Sequence, residues 1–181
     1  MRQRVRQKHS DEKLKEIYSK PHDHKNWHDH LIRVEATKQV AKWMLGDGRS
    51  VADLSCGNAD IAKSLNARET YLGDFAPGYE YCGPIEQTIL EVPEVELFIC
   101  SETLEHLDDP DSVLKHMREV SDMIVISTPM DNWDDPNLEH YWAWSKNDIN
   151  DMLRSAGFNT EIFMAIELPN YMYDYQIWGC K

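Results

Sequence analysis

Short apolar runs alternate with segments of helical periodicity from residue 50 to the end of the chain. The runs are typical of buried strands, and segments whose apolar residues recur every three or four positions are typical of amphipathic helices. Strands are predicted at 51–54, 70–72, 95–100 and 123–126, and helices over 61–65, 112–120 and 145–156. This order predicts an α/β fold with a mostly parallel, twisted sheet and helices on both of its faces.

Two parts of the chain depart from a regular parallel alternation. The strand-like segments 160–166 and 171–178 flank a Leu-Pro-Asn turn and predict a C-terminal antiparallel hairpin. Only eight residues separate Asp74 from Gly83, whereas a crossover between parallel strands normally takes about a dozen or more and contains a helix. We therefore expect a shortened crossover after the second strand, with at most a short strand at 79–81.

The length of 181 residues fits one compact domain. Residues 1–9 contain four bases and no acid, and they predict a basic, flexible arm. Residues 10–46 predict a helical lid, in which Ser10 caps a short helix and a long amphipathic helix ends at Gly46. Residues 47–181 are expected to form the main ligand-binding domain.

The chain is acidic, with 32 acidic and 19 basic side chains and a formal charge of −13. Without the four bases of the arm the formal charge is −17. Such a charge repels phosphate groups, so it disfavours a protein that binds nucleic acid along its whole surface. A mean hydropathy of −0.61 and the lack of long apolar runs argue against a membrane span. Four scattered cysteines without a Cys-x-x-Cys pair, and an N-terminus without the apolar core of a secretory signal, predict a cytoplasmic location.

The loop at 55–60, Ser-Cys-Gly-Asn-Ala-Asp, follows the first predicted strand. Small residues at this point of an open parallel sheet let a ligand approach the backbone at the carboxyl ends of the strands. A dinucleotide site needs glycine at the positions of Ser55, Gly57 and Asp60, and the carboxylate of Asp60 would repel a pyrophosphate. The loop therefore disfavours NAD or FAD and favours a ligand with an ammonium group and no phosphate.

Residues 51–60 resemble the first motif of class I S-adenosylmethionine (SAM)-dependent methyltransferases, Asp/Glu-x-Gly-x-Gly-x-Gly. Asp53 and Gly57 match this motif, whereas Ser55 and Ala59 replace its first and third glycines. We expect both replacements to keep a negative φ, because positive φ is the region that favours glycine.

The resemblance continues along the chain. Asp74 lies 21 residues after Asp53, where an acid of the family accepts hydrogen bonds from both ribose hydroxyls. The resemblance implies that Phe75 flanks the adenine and that Glu86, in the segment Gly-Pro-Ile-Glu, meets the adenine amino group.

Later segments extend the match, so that it spans roughly residues 50–166. Residues 97–119 are similar to the segment after the fourth strand in the small-molecule, ubiquinone-biosynthesis-like branch, and residues 124–132 and 139–163 resemble the fifth strand and the late helix. The resemblance implies a Rossmann-like class I fold, SAM as cofactor with S-adenosylhomocysteine as product, and methyl transfer to an oxygen or nitrogen of a small-molecule acceptor.

The resemblance places the cofactor contacts in the lid and in the loops at the strand ends. They are Arg33, Asp53, Ser55, Cys56, Gly57, Asp74, Phe75, Ile85, Glu86, Ser101, Glu102 and Thr103. Arg33 is the first candidate for the methionine carboxylate, because a guanidinium can bind a carboxylate through two parallel hydrogen bonds. Tyr18 and Trp27 are the alternatives in the same part of the chain.

Methyl transfer needs an aligned acceptor and, for a protonated acceptor, a base. His106 and His140 are the predicted bases, because histidine titrates near neutral pH. Glu105 is the third predicted catalytic residue; like Glu139, it would orient an imidazole or hold a substrate hydroxyl. The aromatic residues predicted to line the acceptor pocket are Tyr141, Trp142 and Trp144.

Two other functions remain open from the sequence. Because of the basic arm, the protein could be a methyltransferase that modifies nucleic acid or nucleotides. Because two glycines of the first motif are replaced, it could also be a non-catalytic SAM-binding module. The polar segment 22–30 is rich in histidine, but its spacing matches no zinc-site template, so we predict a substrate lid there and no metal site.

Overall fold

The computed structural model describes residues 1–19 and 27–181. Its strands are β1 (Gln3–Arg4), β2 (Ser50–Asp53), β3 (Glu69–Asp74), β4 (Tyr81–Cys82), β5 (Val95–Ser101), β6 (Ser121–Met130), β7 (Trp142–Ala143), β8 (Thr160–Ile166) and β9 (Asp174–Cys180). Its helices are α1 (Asp11–Ile17), α2 (His28–Leu45), α3 (Ile85–Thr88), α4 (Pro110–Val120) and α5 (Lys146–Ser155). Residues 20–26 lie outside the described residues, and with them much of the histidine-rich segment 22–30 that was predicted to form a substrate lid.

The main sheet has the strand order β4-β3-β2-β5-β6-β9-β8. The strands from β4 to β6 are parallel, and β9 pairs antiparallel with both β6 and β8. This arrangement confirms the predicted mostly parallel sheet and its C-terminal hairpin. Asp53 lies opposite Leu72 of β3 and Ile99 of β5, so these three strands run side by side to the same edge.

Helices cover both faces of the sheet, as predicted. Alternate residues of β5 belong to different cores, because successive side chains of a strand point to opposite faces. Phe98 packs in the core beneath α4 and α5, and Leu97 packs in the core beneath α2. The contact with α2 is close at Gly179 in β9, where a Cβ would lie 2.9 Å from Met44.

Local sequence signals set the ends of the helices. The side chains of Ser10 and Asp109 cap α1 and α4, and Ser145 forms a reciprocal capping box with Asp148 at the start of α5. Helix α2 ends at Gly46, whose φ of 55° suits glycine. No helix among the described residues has both the length and the apolar character needed to cross a membrane.

Both crossovers near the predicted ligand loop are short. The helix predicted at 61–65 was wrong, since the structure has only a 3-10 turn, Ala62–Ser64. The positive φ values at Gly57 and Ala59 exclude a helix until after residue 59. The loop therefore uses residues that a longer helix would need. The crossover from β3 to the two-residue β4 contains no helix, which confirms the predicted shortening.

Residues 1–9 pack against the domain, in contrast to the flexible arm expected from the sequence. Strand β1 pairs antiparallel with β7. Arg2 and Arg4 form ion pairs with Asp111 and Asp108, close to the start of α4. The acidic surface that attracts the arm is therefore part of the same chain.

Candidate active site

The predicted site residues come together at the carboxyl edge of the sheet. Asp53 ends β2, Asp74 ends β3 and Ser101 ends β5. Because these strands are parallel, the loops that follow them lie side by side. One contact between loops is direct, since the hydroxyl oxygens of Ser55 and Thr103 lie 2.7 Å apart.

The loop after β2 is a tight turn held by hydrogen bonds. The Cys56 N–H donates to the carbonyl of Gly73 (3.0 Å), and the Tyr79 hydroxyl donates to the carbonyl of Gly57 (2.7 Å). The negative φ expected at Ala59 was wrong, since its φ is 60°. A residue with a Cβ in this conformation costs about 1–2 kcal/mol, so the turn keeps the shape of a glycine loop at some cost in strain.

Asp74 connects this turn to the loop after β3. Its Oδ2 accepts a hydrogen bond from the Gly57 N–H (2.8 Å), and its Oδ1 accepts one from the Ala76 N–H (2.9 Å). Each carboxylate oxygen has a second lone pair, so both can still accept a hydrogen bond from a ligand. The ribose-binding role of Asp74 stays a prediction, and its position at the centre of two loops is compatible with it.

Asp53 is a buried acid with one unsatisfied oxygen. The residue is 2% exposed, and among the described residues its Oδ1 has no hydrogen-bond partner. Burial raises the pKa of Asp53 to about 7; the nearby charge of Asp74 adds to the shift, and the backbone N–H of Ser55 opposes it. A cationic donor on a ligand would relieve both the missing hydrogen bond and the cost of the charge.

Arg33 extends from α2 to the ends of β5 and β6. Its guanidinium is buried and donates hydrogen bonds to the hydroxyls of Ser101 and Ser127, the latter at 3.0 Å. Its Nε lies 3.8 Å from Oε1 of Glu102, a residue with a φ of 52°. Arg33 therefore lies at the predicted edge of the sheet, and its binding to a methionine carboxylate stays a prediction. Trp27, the alternative, is 58% exposed at the start of α2.

The three predicted catalytic residues form one cluster. Each of Glu105, His106 and His140 offers a side-chain oxygen or nitrogen, and these atoms all lie within 4.8 Å of one another. The two imidazole rings are edge to face, with centroids 4.7 Å apart. The Thr128 hydroxyl donates to Oε2 of Glu105 (3.0 Å), while Oε1 is buried and has no hydrogen-bond partner among the described residues.

The electrostatics of this cluster favour a positive charge within it. Burial raises the pKa of Glu105 to about 8, and the charge of Glu102 adds to this shift. Burial acts to lower the pKa of His140, but its hydrogen bond to Asp135 and the charge of Glu105 raise it above the usual value. Burial acts to raise the pKa of Asp135, but the bond from His140 and other hydrogen bonds lower it to about 2.

The remaining predicted contacts lie at the periphery. Phe75 packs against Tyr18, with ring centroids 5.3 Å apart. Cys56 is half-buried, and burial raises the pKa of its thiol well above the usual range. Glu86 faces Lys8 of the arm at 4.0 Å. Ile85, the first residue of α3, is buried and packs in the core, and its predicted cofactor contact stays a prediction.

The role of Tyr141, Trp142 and Trp144 as the aromatic wall of the acceptor pocket stays a prediction, although two of the three side chains are fully buried. Tyr141 and Trp144 are fully buried, and the Trp144 indole N–H donates to the Thr128 hydroxyl (3.0 Å). Trp142 lies in β7, beneath the guanidinium groups of Arg2 and Arg4. Tyr141 and Trp144 therefore lie in the interior of the domain, whereas Trp142 is half-buried at its edge.

Asp135 is the residue of this site that sequence reasoning missed. Its Oδ2 lies 2.6 Å from Nδ1 of His140, and its Oδ1 accepts a hydrogen bond from the Tyr173 hydroxyl (2.8 Å). It lies in a polar loop with other aspartates, Asp131 and Asp134, and nothing in the local pattern distinguishes it from them. Only the placement of His140 reveals its role.

No protein-family model matches the sequence, and no curated protein matches it either. The fold, in contrast, is similar to solved structures. One is a Burkholderia thailandensis 1,6-didemethyltoxoflavin-N1-methyltransferase with bound 1,6-didemethyltoxoflavin and S-adenosylhomocysteine; the TM-score is 0.73 and the identity 16%, over 91% of this chain and 84% of that one. Another is a magnesium protoporphyrin IX methyltransferase from Synechocystis PCC 6803, with a TM-score of 0.64 and 17% identity over 93% of this chain and 92% of that one.

These similarities show that the chain has the class I methyltransferase fold. The same fold also occurs in the cyclase SpnF, with a TM-score of 0.63 and 11% identity over 81% of this chain and 79% of that one. At such identities the likeness is one of fold, so the reaction must be argued from the residues of the site. The ubiquinone-biosynthesis-like branch stays a prediction.

Proposed function

We propose that this protein is a SAM-dependent methyltransferase that acts on a small-molecule acceptor. The observation that carries the proposal is the buried carboxylate of Asp53, with its unpaired Oδ1, at the carboxyl end of β2. A buried carboxylate oxygen that accepts no hydrogen bond destabilises the folded protein. The ammonium group of SAM is a hydrogen-bond donor whose positive charge suits this oxygen. The neighbouring turn, which Asp74 holds in place, exposes backbone and leaves space beside Gly57.

The other cofactor contacts follow from the geometry and from the family resemblance. Asp74 would accept the ribose hydroxyls, and Phe75 would flank the adenine. Arg33 would bind the methionine carboxylate through Nε, which makes no hydrogen bond within the described part of the chain and lies 3.8 Å from Oε1 of Glu102. Together these residues would match a molecule that has a cationic, an anionic and a nucleoside portion, as SAM does.

The chemistry asked of the protein is limited, because SAM itself supplies an electrophilic methyl group. The chain has to align the acceptor, exclude water and remove a proton from the acceptor oxygen or nitrogen. His106 and His140 lie side by side next to Glu105, and we assign proton removal to this cluster.

Charge favours a small acceptor over nucleic acid. The nucleic-acid alternative depends on the bases of the arm, but Arg2 and Arg4 are paired with aspartates of the same chain. The remaining chain carries a large negative charge, which repels phosphate backbones. The solved neighbours named for toxoflavin and protoporphyrin chemistry act on small molecules, which supports the same choice.

The proposal is tested by following the release of S-adenosylhomocysteine from SAM by mass spectrometry. The protein is incubated with either the small-molecule fraction or the nucleic-acid fraction of a cell extract. We expect release with the small-molecule fraction alone, and its loss in Asp74→Ala but not in Asp60→Asn, an exposed acid on the same loop. Release with the nucleic-acid fraction alone would support the alternative substrate, and no release with either would contradict the proposed activity.

A further inference from the structure

The cluster of Glu105, His106 and His140 has a donor set that proton transfer alone does not require. Two imidazoles and one carboxylate, each with a ligand atom within 4.8 Å of the others, are a common set for a divalent metal ion. The residues come from two segments: Glu105 and His106 from the 3-10 turn Leu104–His106, and His140 from the loop before β7.

The first supporting observation is the unpaired oxygen of Glu105. The residue is 0% exposed, and its Oε1 has no hydrogen-bond partner among the described residues. The other oxygen, Oε2, is held by the Thr128 hydroxyl, which fixes the carboxylate in place. A buried carboxylate without a donor on one oxygen is costly, and a bound cation would remove this cost.

The second observation is the way in which both imidazole rings are oriented. Nδ1 of His140 lies 2.6 Å from a carboxylate oxygen of Asp135, and Nδ1 of His106 lies 2.9 Å from the backbone carbonyl of Glu139. An acceptor at Nδ1 holds the proton there, so the lone pair of a neutral ring is on Nε2. Histidines that bind metals typically have this arrangement, with the second nitrogen donating to a carboxylate or a carbonyl.

Asp135 is itself held rigidly, as an outer-shell partner should be. Asn132 Nδ2 donates to its Oδ2 at 2.6 Å, and the Tyr173 hydroxyl and the Asn137 N–H both donate to its Oδ1 at 2.8 Å. The residue is 4% exposed. Such a network fixes the direction of the His140 ring more firmly than a surface hydrogen bond would.

We propose that Glu105, His106 and His140 bind one divalent transition-metal ion, such as Zn²⁺ or Co²⁺, with Asp135 as a positioning residue. Three protein ligands leave at least one coordination position open. The two histidines then act as ligands in place of their role as bases. The role of the ion in catalysis rests on the proposed methyl transfer. The open coordination position would bind and polarise a hydroxyl group of the acceptor, and it therefore favours an oxygen acceptor over a nitrogen acceptor.

The test is a titration of the full-length, chelator-treated protein with Co²⁺, followed by visible absorption and calorimetry, without SAM. We expect one tightly bound ion per chain, and at least tenfold weaker binding in Glu105→Gln, His106→Ala and His140→Ala. Asp135→Asn should weaken binding about 10–100-fold, as loss of an outer-shell partner does. The matched controls are Glu119→Gln and His116→Ala on α4, which should stay within twofold of the native affinity.

Glu105→Gln keeps an acceptor for Thr128 and removes a buried charge, so it should fold even if a histidine variant does not. Absence of saturable binding by the native protein would overturn the proposal. Binding that Glu105→Gln leaves unchanged would overturn it too, because the ion would then belong to other histidines, such as those of residues 22–30. The assay contains no SAM, so its failure is distinct from a failure of the proposed methyl transfer.

Discussion

The backbone N–H of Gly57 donates a 2.8 Å hydrogen bond to Oδ2 of Asp74. This bond joins the loop after β2 to the end of β3, across the place where the resemblance puts the cofactor. The φ of 52° at Gly57 directs its N–H toward the carboxylate, and a Cβ built at this position would meet no atom within 4 Å. Glycine therefore adopts this conformation without the strain that a Cβ would add, and its missing side chain leaves open space at the site.

We expect Gly57→Ala to weaken binding of S-adenosylhomocysteine at least tenfold, because the positive φ would strain the turn and the added methyl group would occupy space that we assign to the ligand. The control is Gly46→Ala at the end of α2, where φ is 55° and a Cβ also meets no atom within 4 Å. Both variants should lose unfolding free energy in urea through the strain of positive φ, and Gly46→Ala should lose more, because its ψ of −122° lies outside the left-handed region that alanine can adopt. Equal affinities in the two variants would remove Gly57 from the binding site.

Asp53→Asn should stabilise the ligand-free protein in a pH-dependent way. Burial raises the pKa of Asp53 from 3.8 to about 7. At a pH between these two values, the carboxyl group is protonated in the folded state and ionised in the unfolded state. The native protein thus loses stability as the pH rises from 4 to 7, and the asparagine variant avoids this loss. We expect a gain of roughly 1–3 kcal/mol at pH 8 that shrinks steadily toward pH 4, measured by urea unfolding.

The matched control for that experiment is Asp60→Asn, an exposed acid seven residues further along the chain. Its unfolding free energy should change by less than about 0.5 kcal/mol at any pH. A pH-independent effect of Asp53→Asn would contradict the burial of a titrating carboxyl at this position.

Arg33→Ala should destabilise the protein by about 3–5 kcal/mol, because it removes a buried charge that two hydroxyls and Glu102 accommodate. In the Arg33→Ala background, Glu102→Gln should lower the unfolding free energy by less than it does in the native protein, because the two side chains interact. The expected coupling energy is about 0.5–3 kcal/mol. A strictly additive double mutant would show that the two charges do not interact. Lys13→Ala, from the exposed pair with Glu16, serves as the control and should cost under about 1 kcal/mol.

Deletion of residues 1–6 should lower the unfolding free energy by about 1–2 kcal/mol in low salt, and by less in high salt, because exposed ion pairs are screened. Hydrogen exchange at Trp142 and Ala143 should accelerate in the same variant, since β1 pairs with these residues. Unchanged exchange in the shortened protein would show that the arm does not pair with β7.

The parts of the fold that sequence predicts are those set by local burial and capping. The alternation of apolar runs predicted the sheet because β5 and β6 are buried on both faces and read as nearly continuous apolar segments. The helices predicted over 112–120 and 145–156 correspond to α4 and α5, whose starts are capped by Asp109 and Ser145, and such caps depend only on neighbouring residues.

The parts that sequence did not predict depend on contacts between distant residues. Strand β1 has two residues, too few for any pattern, and its partner β7 lies about 140 residues away. The positive φ of Ala59 follows from the closure of the loop on Asp74 and Gly73, and no property of alanine indicates it. For the candidate site, the sequence indicated the cluster residues singly, but their convergence, and the support from Asp135, are properties of the folded chain.

The most direct test of the proposed cofactor site is calorimetric titration of S-adenosylhomocysteine into the native protein and into Asp74→Ala. We expect saturable binding at one site per chain in the native protein, and an affinity lower by about 1–3 kcal/mol in the variant, the range for loss of a hydrogen-bond partner that carries charge. No heat of binding with folded native protein, or equal affinities in the two proteins, would contradict a cofactor site at Asp74.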